Sequence, residues 1–233
     1  MALLAELSDE DIAERIAKTE SYVSQQDTAK AVAAAKLAHA LLDRIIAAVK
    51  PGVRESEIKD YALRLFAEQG IERTWHPPYV RFGEHTLLTF RDKASEDRVL
   101  QENDIAFIDI GIVKDGIESD AGRSISFGNS LEYKLLADAS LTIFNDATDY
   151  WQHHNPRGIA LYEYIYNLAD KLGVVWNLDP AGHLIGAFPH RGWKRGINHF
   201  PNFVDDGAWI LEIQIKHKTL SAGAFFEDLL YRR

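Results

Sequence analysis

Asp109, Asp120, His183, Glu212 and Glu227 are the side chains of this sequence best suited to chemistry. Each sits in a short apolar segment that reads as a strand or a strand edge. A carboxylate in an apolar strand is costly to bury unless a partner or a cation meets it. Four such carboxylates and one imidazole form a donor set that a pair of divalent cations would satisfy.

The spacing around Asp109 and Asp120 supports this. Lys114-Asp115-Gly116 reads as a hairpin turn between the apolar runs Asp104 to Ile112 and Ile117 to Phe127. With Asp115-Gly116 as the two-residue turn, Asp109 pairs opposite Gly122, and Asp120 lies two residues along on the same face. Diagonal neighbours of that kind have Cα atoms about 7–8 Å apart. Two carboxylates can then point at a common centre holding metals about 3.5–4 Å apart. Near the C-terminus, Glu212 alternates with Leu211, Ile213 and Ile215, and Glu227 is flanked by aromatic and aliphatic residues. Ser221-Ala222-Gly223 lies between them and can reverse the chain. His183 stands between Gly182 and Gly186, and His190 follows seven residues later. Taken singly, Asp109 fits a strand end, Asp120 a solvated hairpin, either glutamate an exposed edge and His183 a hydrogen-bonded structural residue. Together they point to a site.

The elements that must position these groups follow from periodicity. Ser8 with Asp9, Glu10 and Asp11 marks a helix start, since acids favour the first turn. A second helix is expected from about Asp27 to Val49, ended by Pro51-Gly52, and a third opening at Ser56 and closing near Gly70. Thr74 to Phe90 reads as strand and loop. Helices are expected again over Leu131 to Trp151 and Ile159 to Leu172. Strands and loops follow, around Gly182-His183, Trp209 to Ile215 and Ala224 to Leu230. The pattern predicts an α+β fold in which helices cover one face of a curved antiparallel sheet. The two halves share a layout without sharing residues. Residues 1–233 read as one domain, with 1–26 as an N-terminal helical extension.

Composition narrows the function classes. The net charge of −9 argues against non-specific nucleic-acid binding. The absence of cysteine excludes disulfides, thiolate metal sites and cysteine nucleophiles. The start has no signal-peptide pattern, and charges interrupt the long apolar stretch Ala29 to Val49. A cytoplasmic protein with no membrane partner is expected.

The order Asp, Asp, Gly-His-x-x-Gly, His, Glu, Glu resembles the pita-bread metallopeptidases, the group of methionine aminopeptidases, aminopeptidase P and Xaa-Pro dipeptidases. The stretch Asp104-Ile-Ala-Phe-Ile-Asp-Ile-Gly111, with Ser119-Asp-Ala-Gly-Arg-Ser124 and Phe127-Gly128, is the most specific part. Its Ser-Asp-x-x-Arg-Ser form is closer to the Xaa-Pro branch, and a member without that branch's separate N-terminal domain is expected. The Ile-x-x-x-x-Pro-Gly punctuation ending at Gly52 is similar too. The resemblance implies the pita-bread fold with two pseudo-related halves. It implies that Asp109 binds one metal, that Asp120 and Glu227 bridge both, and that His183 and Glu212 complete the second. A water between the metals is then the nucleophile, Glu212 its proton carrier, and His190 the hydrogen-bond donor to the substrate carbonyl. An oxygen-rich set with a single imidazole suits manganese, cobalt or iron, with zinc a further candidate. The implied function is an aminopeptidase-type hydrolase cutting an N-terminal peptide bond, with Xaa-Pro a candidate sequence. A small peptide is the implied substrate and a homodimer a candidate assembly.

Three departures bear on substrate. Phe82-Gly-Glu-His-Thr-Leu-Leu-Thr-Phe90 matches a family loop of the form Ser-Gly-x-Asn-x-x-x-x-His, so Phe90 stands where the family has a histidine. Such a group is worth about 10²–10⁴-fold in rate, and His76 or His85 is a candidate to compensate. The family's His-Glu pair reads His190-Arg191, which assigns Arg191 to the pocket. Its Glu-Pro-Gly turn reads Glu212-Ile213-Gln214. These changes favour a second reading, a diverged member acting on a non-peptide amide or other small metabolite. A non-catalytic binding protein is the third. His153-His154 reads as a solvated helix end, Trp193, Phe200, Phe203 and Trp209 as core, and Arg191, Lys194 and Arg195 together as a solvated loop cluster.

Overall fold

The computed structural model describes residues 8–179 and 181–232. Helix α1 (Asp9–Val23) begins at Ser8, whose hydroxyl accepts from the Asp11 backbone N–H at 3.1 Å. It is the described part of the expected extension, whose first seven residues lie outside the described ones. Helix α2 (Thr28–Ala48) starts at Asp27 and stops before Pro51-Gly52, as the breaker signal predicts. Helix α3 is Glu55–Glu68 and starts one residue before the expected Ser56. Its first turn is capped from a distant loop: the Ser56 N–H and hydroxyl donate to the Asp97 carboxylate at 3.0 and 2.7 Å.

Two short strands, β1 (Arg73–Thr74) and β2 (Tyr79–Phe82), precede a 3₁₀ turn at Gly83–Leu87. Strands β3 (Asp104–Lys114) and β4 (Ile117–Phe127) then form the predicted hairpin. Asp115 and Gly116 both have positive φ, 51° and 72°, the signature of a two-residue type I′ turn. Helix α4 (Leu131–His154) ends where Asn155 turns left-handed, and α5 (Gly158–Lys171) follows. The remaining strands are β5 (Val175–Trp176), β6 (His183–Leu184), β7 (Trp209–Lys216) and β8 (Gly223–Leu230).

All eight strands join one antiparallel sheet in the order β1-β3-β4-β8-β7-β5, with β2 also on β3 and β6 also on β7. The arrangement repeats. Each half runs helix, helix, two short strands, hairpin, and the two hairpins meet at the centre through Gly122↔Glu227 and Arg123↔Phe226. The layout shared by the two halves of the sequence is therefore a repeat of architecture, in the α+β class expected.

Period-two alternation decides which face carries chemistry. Ile108, Ile110, Ile112 and Ala121 pack under α2 and α3, while Leu211, Ile213, Ile215 and Phe226 pack under α4 and α5. A fully buried Ile, Leu or Phe contributes about 1.5–3 kcal/mol by leaving water. These residues hold the helices on one face and turn their alternating neighbours, Asp109, Asp120, Glu212 and Glu227, to the other. Trp193, Phe200 and Trp209 are core as expected, whereas Phe203 is 49% exposed under the Arg157 guanidinium. Helix α1 lies against the segment leading to His190. The Tyr22 hydroxyl donates to Ala187 O at 3.1 Å, and the Ala187 N–H donates to Gln26 Oε1. Among the described residues, no helix is long and apolar enough to cross a membrane.

Candidate metal centre

The register of four strands brings three carboxylates into one transverse row. Asp109 on β3 pairs with Gly122 on β4, Gly122 with Glu227 on β8, and Glu227 with Glu212 on β7. Gly122 makes the row possible. A β-carbon there would collide with the Phe225 ring and come within 2.9 Å of Glu227 Oε1. Asp120 stands two residues from Gly122 and opposite Gly111, and His183 pairs with Ile210, two residues from Glu212. All five groups converge.

Asp120 is the hub. Its Oδ1 lies 3.3 Å from His76 Nε2 and its Oδ2 3.2 Å from His183 Nε2. Asp109 Oδ1 is 3.4 Å from the same His76 nitrogen. Glu212 Oε2 accepts the Gly182 N–H at 2.7 Å, and the Tyr162 hydroxyl holds the Glu212 backbone carbonyl at 3.0 Å. Gly182 has φ +61°, and Tyr162, Ile197 and Ile210 leave no space for a side chain there. Two groups of potential ligand atoms result, His76–Asp109–Asp120 and Asp120–His183–Glu227, with the atoms of each within 4.8 Å of one another.

The electrostatics describe a site short of positive charge. Burial raises the Asp109 carboxyl to about 7 despite the His76 charge beside it. Burial also raises Glu227 well above the carboxylate range, reinforced by Asp109, Asp120 and Glu212, and raises Glu212 against the pull of His183. Asp120 goes the other way: burial pushes it up, but His76 and His183 outweigh that and hold it at about 2. The histidines respond in kind. Burial opposes their charge, yet the carboxylates raise His76 to about 10 and His183 to about 8.

Divalent cations fit these residues. Glu227 is fully buried, and neither of its oxygens has a hydrogen-bond partner; Asp109 Oδ1 has none either. An uncompensated buried carboxylate costs several kcal/mol, which a fold tolerates where a cation supplies the missing charge. The donors are carboxylate oxygens and imidazole nitrogens, a set that divalent transition ions accept.

The candidate site residues fall into two groups. Asp109, Asp120, His183, Glu212, His190, His76 and Phe90 all line one cavity of about 260 Å³, and Glu227 lies behind its wall against Asp120 and His183. Phe90 is 47% exposed, with the Arg91 guanidinium over its ring. His85 and Arg191 are elsewhere. His85 is buried in the 3₁₀ turn, 3.0 Å from both oxygens of Glu55, so its ring braces α3 against that turn. Arg191 lies in an irregular loop, is exposed and is outside the cavity lining, so its charge stays in water. Lys194 and Arg195, expected as solvated loop residues, do line the cavity.

Three participants carried no sequence signal that was read. Glu118, 2% exposed, accepts from His190 twice, at Nδ1 (2.7 Å) and at the backbone N–H (3.2 Å). It shares the Asp120 face by the same alternation, which is the signal that could have found it. Trp75 stands edge-on to both His76 and His183, with ring centroids 4.6 and 4.8 Å apart. Tyr79, opposite Asp109 in the β2–β3 register, stacks on His76 at 5.2 Å.

Comparison with solved structures places the fold among known ones. The prolidase from Pyrococcus horikoshii OT3 superposes with a TM-score of 0.71 at 19% identity, covering 96% of this chain and 63% of that one. The Xaa-Pro dipeptidase from Bacillus anthracis gives 0.72 at 20%, covering 97% and 62%. The X-Pro aminopeptidase from Thermotoga maritima MSB8 gives 0.70 at 19%, covering 95% and 61%. The chain thus spans less than two thirds of the length of each, and at these identities the likeness concerns the fold. Comparison with curated protein sequences gives no match. The profile of metallopeptidase family M24 matches residues 29–231, nearly the whole chain, and the protein belongs to that family.

Proposed function

We propose that the protein is a hydrolase dependent on two divalent cations, of the aminopeptidase type, cutting the first peptide bond of a small substrate. The observation that carries this is the meeting of two ligand groups at Asp120 on the wall of a cavity that also presents His190. In this reading Asp109 would help to hold one cation, His183 and Glu212 the other, and Asp120 and Glu227 would take part in holding both. Manganese, cobalt and iron head the candidates, followed by zinc. Bound there, the ions would supply Lewis acidity and an activated water.

The chain's own residues do the rest. Glu118 accepts the His190 Nδ1–H at one side of the ring, which leaves Nε2 facing the cavity. As an imidazolium, with a second N–H at Nε2, His190 donates to the carbonyl being attacked and stabilises charge developing on its oxygen. Glu212, fixed by the Gly182 N–H through one oxygen, presents a carboxylate of set orientation for moving a proton. A cavity of about 260 Å³ suits a dipeptide-sized molecule or the end of a longer one. The folds named for prolidase and Xaa-Pro dipeptidase support an Xaa-Pro bond as the first to try.

Phe90 in the cavity supports a second reading, a non-peptide amide or other small metabolite as substrate. A phenyl ring cannot donate a proton to a departing amine. A panel of Met-Ala, Xaa-Pro and N-acylated compounds, assayed with added manganese or cobalt, separates the two. Cleavage confined to the N-acylated compounds would overturn the peptidase reading.

A further inference from the structure

We infer that His76 is a sixth protein ligand of the metal centre, giving each half of the fold one imidazole at the site. The inference rests on the two-cation reading and goes beyond the five residues assigned above.

His76 meets the chemical requirement through its ring orientation. Its Nδ1 lies 2.8 Å from Pro77 O, and a carbonyl can only accept, so Nδ1 carries the proton. The nitrogen with the free lone pair in the neutral ring is then Nε2, the atom facing Asp109 Oδ1 and Asp120 Oδ1 at 3.4 and 3.3 Å. A second contact that fixes the ring and its tautomer is the usual arrangement for a ligating histidine. His183 is held the same way: Nδ1 is 3.2 Å from Leu184 O, and Nε2 faces the other oxygen of Asp120.

Packing supports the same assignment. Gly111 sits opposite Asp120, and a β-carbon there would collide with the His76 ring. Tyr79 stacks on that ring and Trp75 stands edge-on to it, so its plane is set from two sides. The architecture agrees too. His76 precedes β2 and His183 opens β6, the corresponding short strands of the two halves.

The consequence is a centre with two nitrogen donors. Imidazole suits zinc, iron and nickel, whereas all-oxygen sites suit manganese and magnesium. Metal preference should therefore shift toward zinc or iron relative to a centre with one histidine, and His76→Gln should move it back toward manganese.

The test uses the full chain labelled with ¹⁵N-histidine, stripped by chelator and titrated with Zn²⁺, with long-range ¹H–¹⁵N spectra reporting each imidazole nitrogen. Two rings, His76 and His183, are expected to take the metal-bound signature at Nε2 by two equivalents. His76→Gln should leave one such ring and weaken one ion by at least about 10–100-fold, the loss that removing even a ligand's supporting partner causes. Two bound ions with His76 unshifted would overturn the inference and leave the two-cation reading intact. No retained ion and no shift at either ring would overturn both. The wild-type spectra decide without relying on the variant's folding.

Discussion

Glu212 and Glu227 stand directly opposite one another on β7 and β8, and Glu227 is fully buried with both carboxylate oxygens unpartnered. Replacing this carboxyl with an amide should therefore cost the fold little and weaken the metal site severely. Glu227→Gln in chelator is expected to match or exceed the wild type in stability, within about 1–2 kcal/mol. The wild type at 100 times its dissociation constant for manganese should gain about 2.7 kcal/mol, and the variant less at the same concentration. Denaturant melts with and without manganese check both halves.

The same buried carboxylates predict an inverted pH profile for the metal-free chain. Asp109 is raised to about 7 from an ordinary value of 3.8, and Glu212 and Glu227 are raised as well. Between pH 4 and 7 the folded state then holds more protons than the unfolded one, so stability falls as pH rises, by on the order of a few kcal/mol. His183, raised to about 8, extends the fall above pH 6.5. Asp120, lowered to about 2, acts in the opposite sense but only below pH 4. Thermal melts in chelator from pH 4 to 8 measure this. Cations displace those protons, so metal affinity should rise over the same range. A melting temperature that climbs from pH 4 to 7 in chelator contradicts the assigned burial.

Glu118 separates positioning from ligation. It touches His190 and no member of either ligand group at hydrogen-bond distance. Glu118→Gln keeps an acceptor for Nδ1–H but removes the charge. The expected result is a fall in kcat of about 10-fold or more with metal content unchanged and KM altered less. Equal losses of kcat and of bound metal would assign Glu118 to the structure of the site instead.

Much of this site was legible because alternation is a strict code. Once Asp115-Gly116 fixes the hairpin, Asp109 must face Gly122, and apolar neighbours at Ile108 and Ile110 must face the helices. Glu118 obeys the same code and was there to be read. His76 and His85 were not separable. Both lie in an irregular stretch without periodicity, and what sorts them is non-local: Gly111 opens space for one, and Glu55 of α3 captures the other. Lys194 and Arg195 were equally opaque, since a charged loop looks the same whether it faces solvent or a cavity.

Phe90 carries the substrate question. Its ring lines the cavity and is half exposed, so a smaller polar ring fits without repacking. Phe90→His is expected to raise Xaa-Pro cleavage by at least about 10-fold, the lower part of what a positioned acid or base supplies. The readout is kcat/KM on a peptide panel. An unchanged rate with intact metal content would point to the non-peptide substrate.

The central claim is that this chain holds two divalent cations at a centre built around Asp120 and Glu227. Elemental analysis of protein stripped by chelator and reloaded with manganese tests it most directly. Two ions per chain in the wild type are expected, falling to one or none in Glu227→Ala. A reloaded wild type that retains no ion would contradict it.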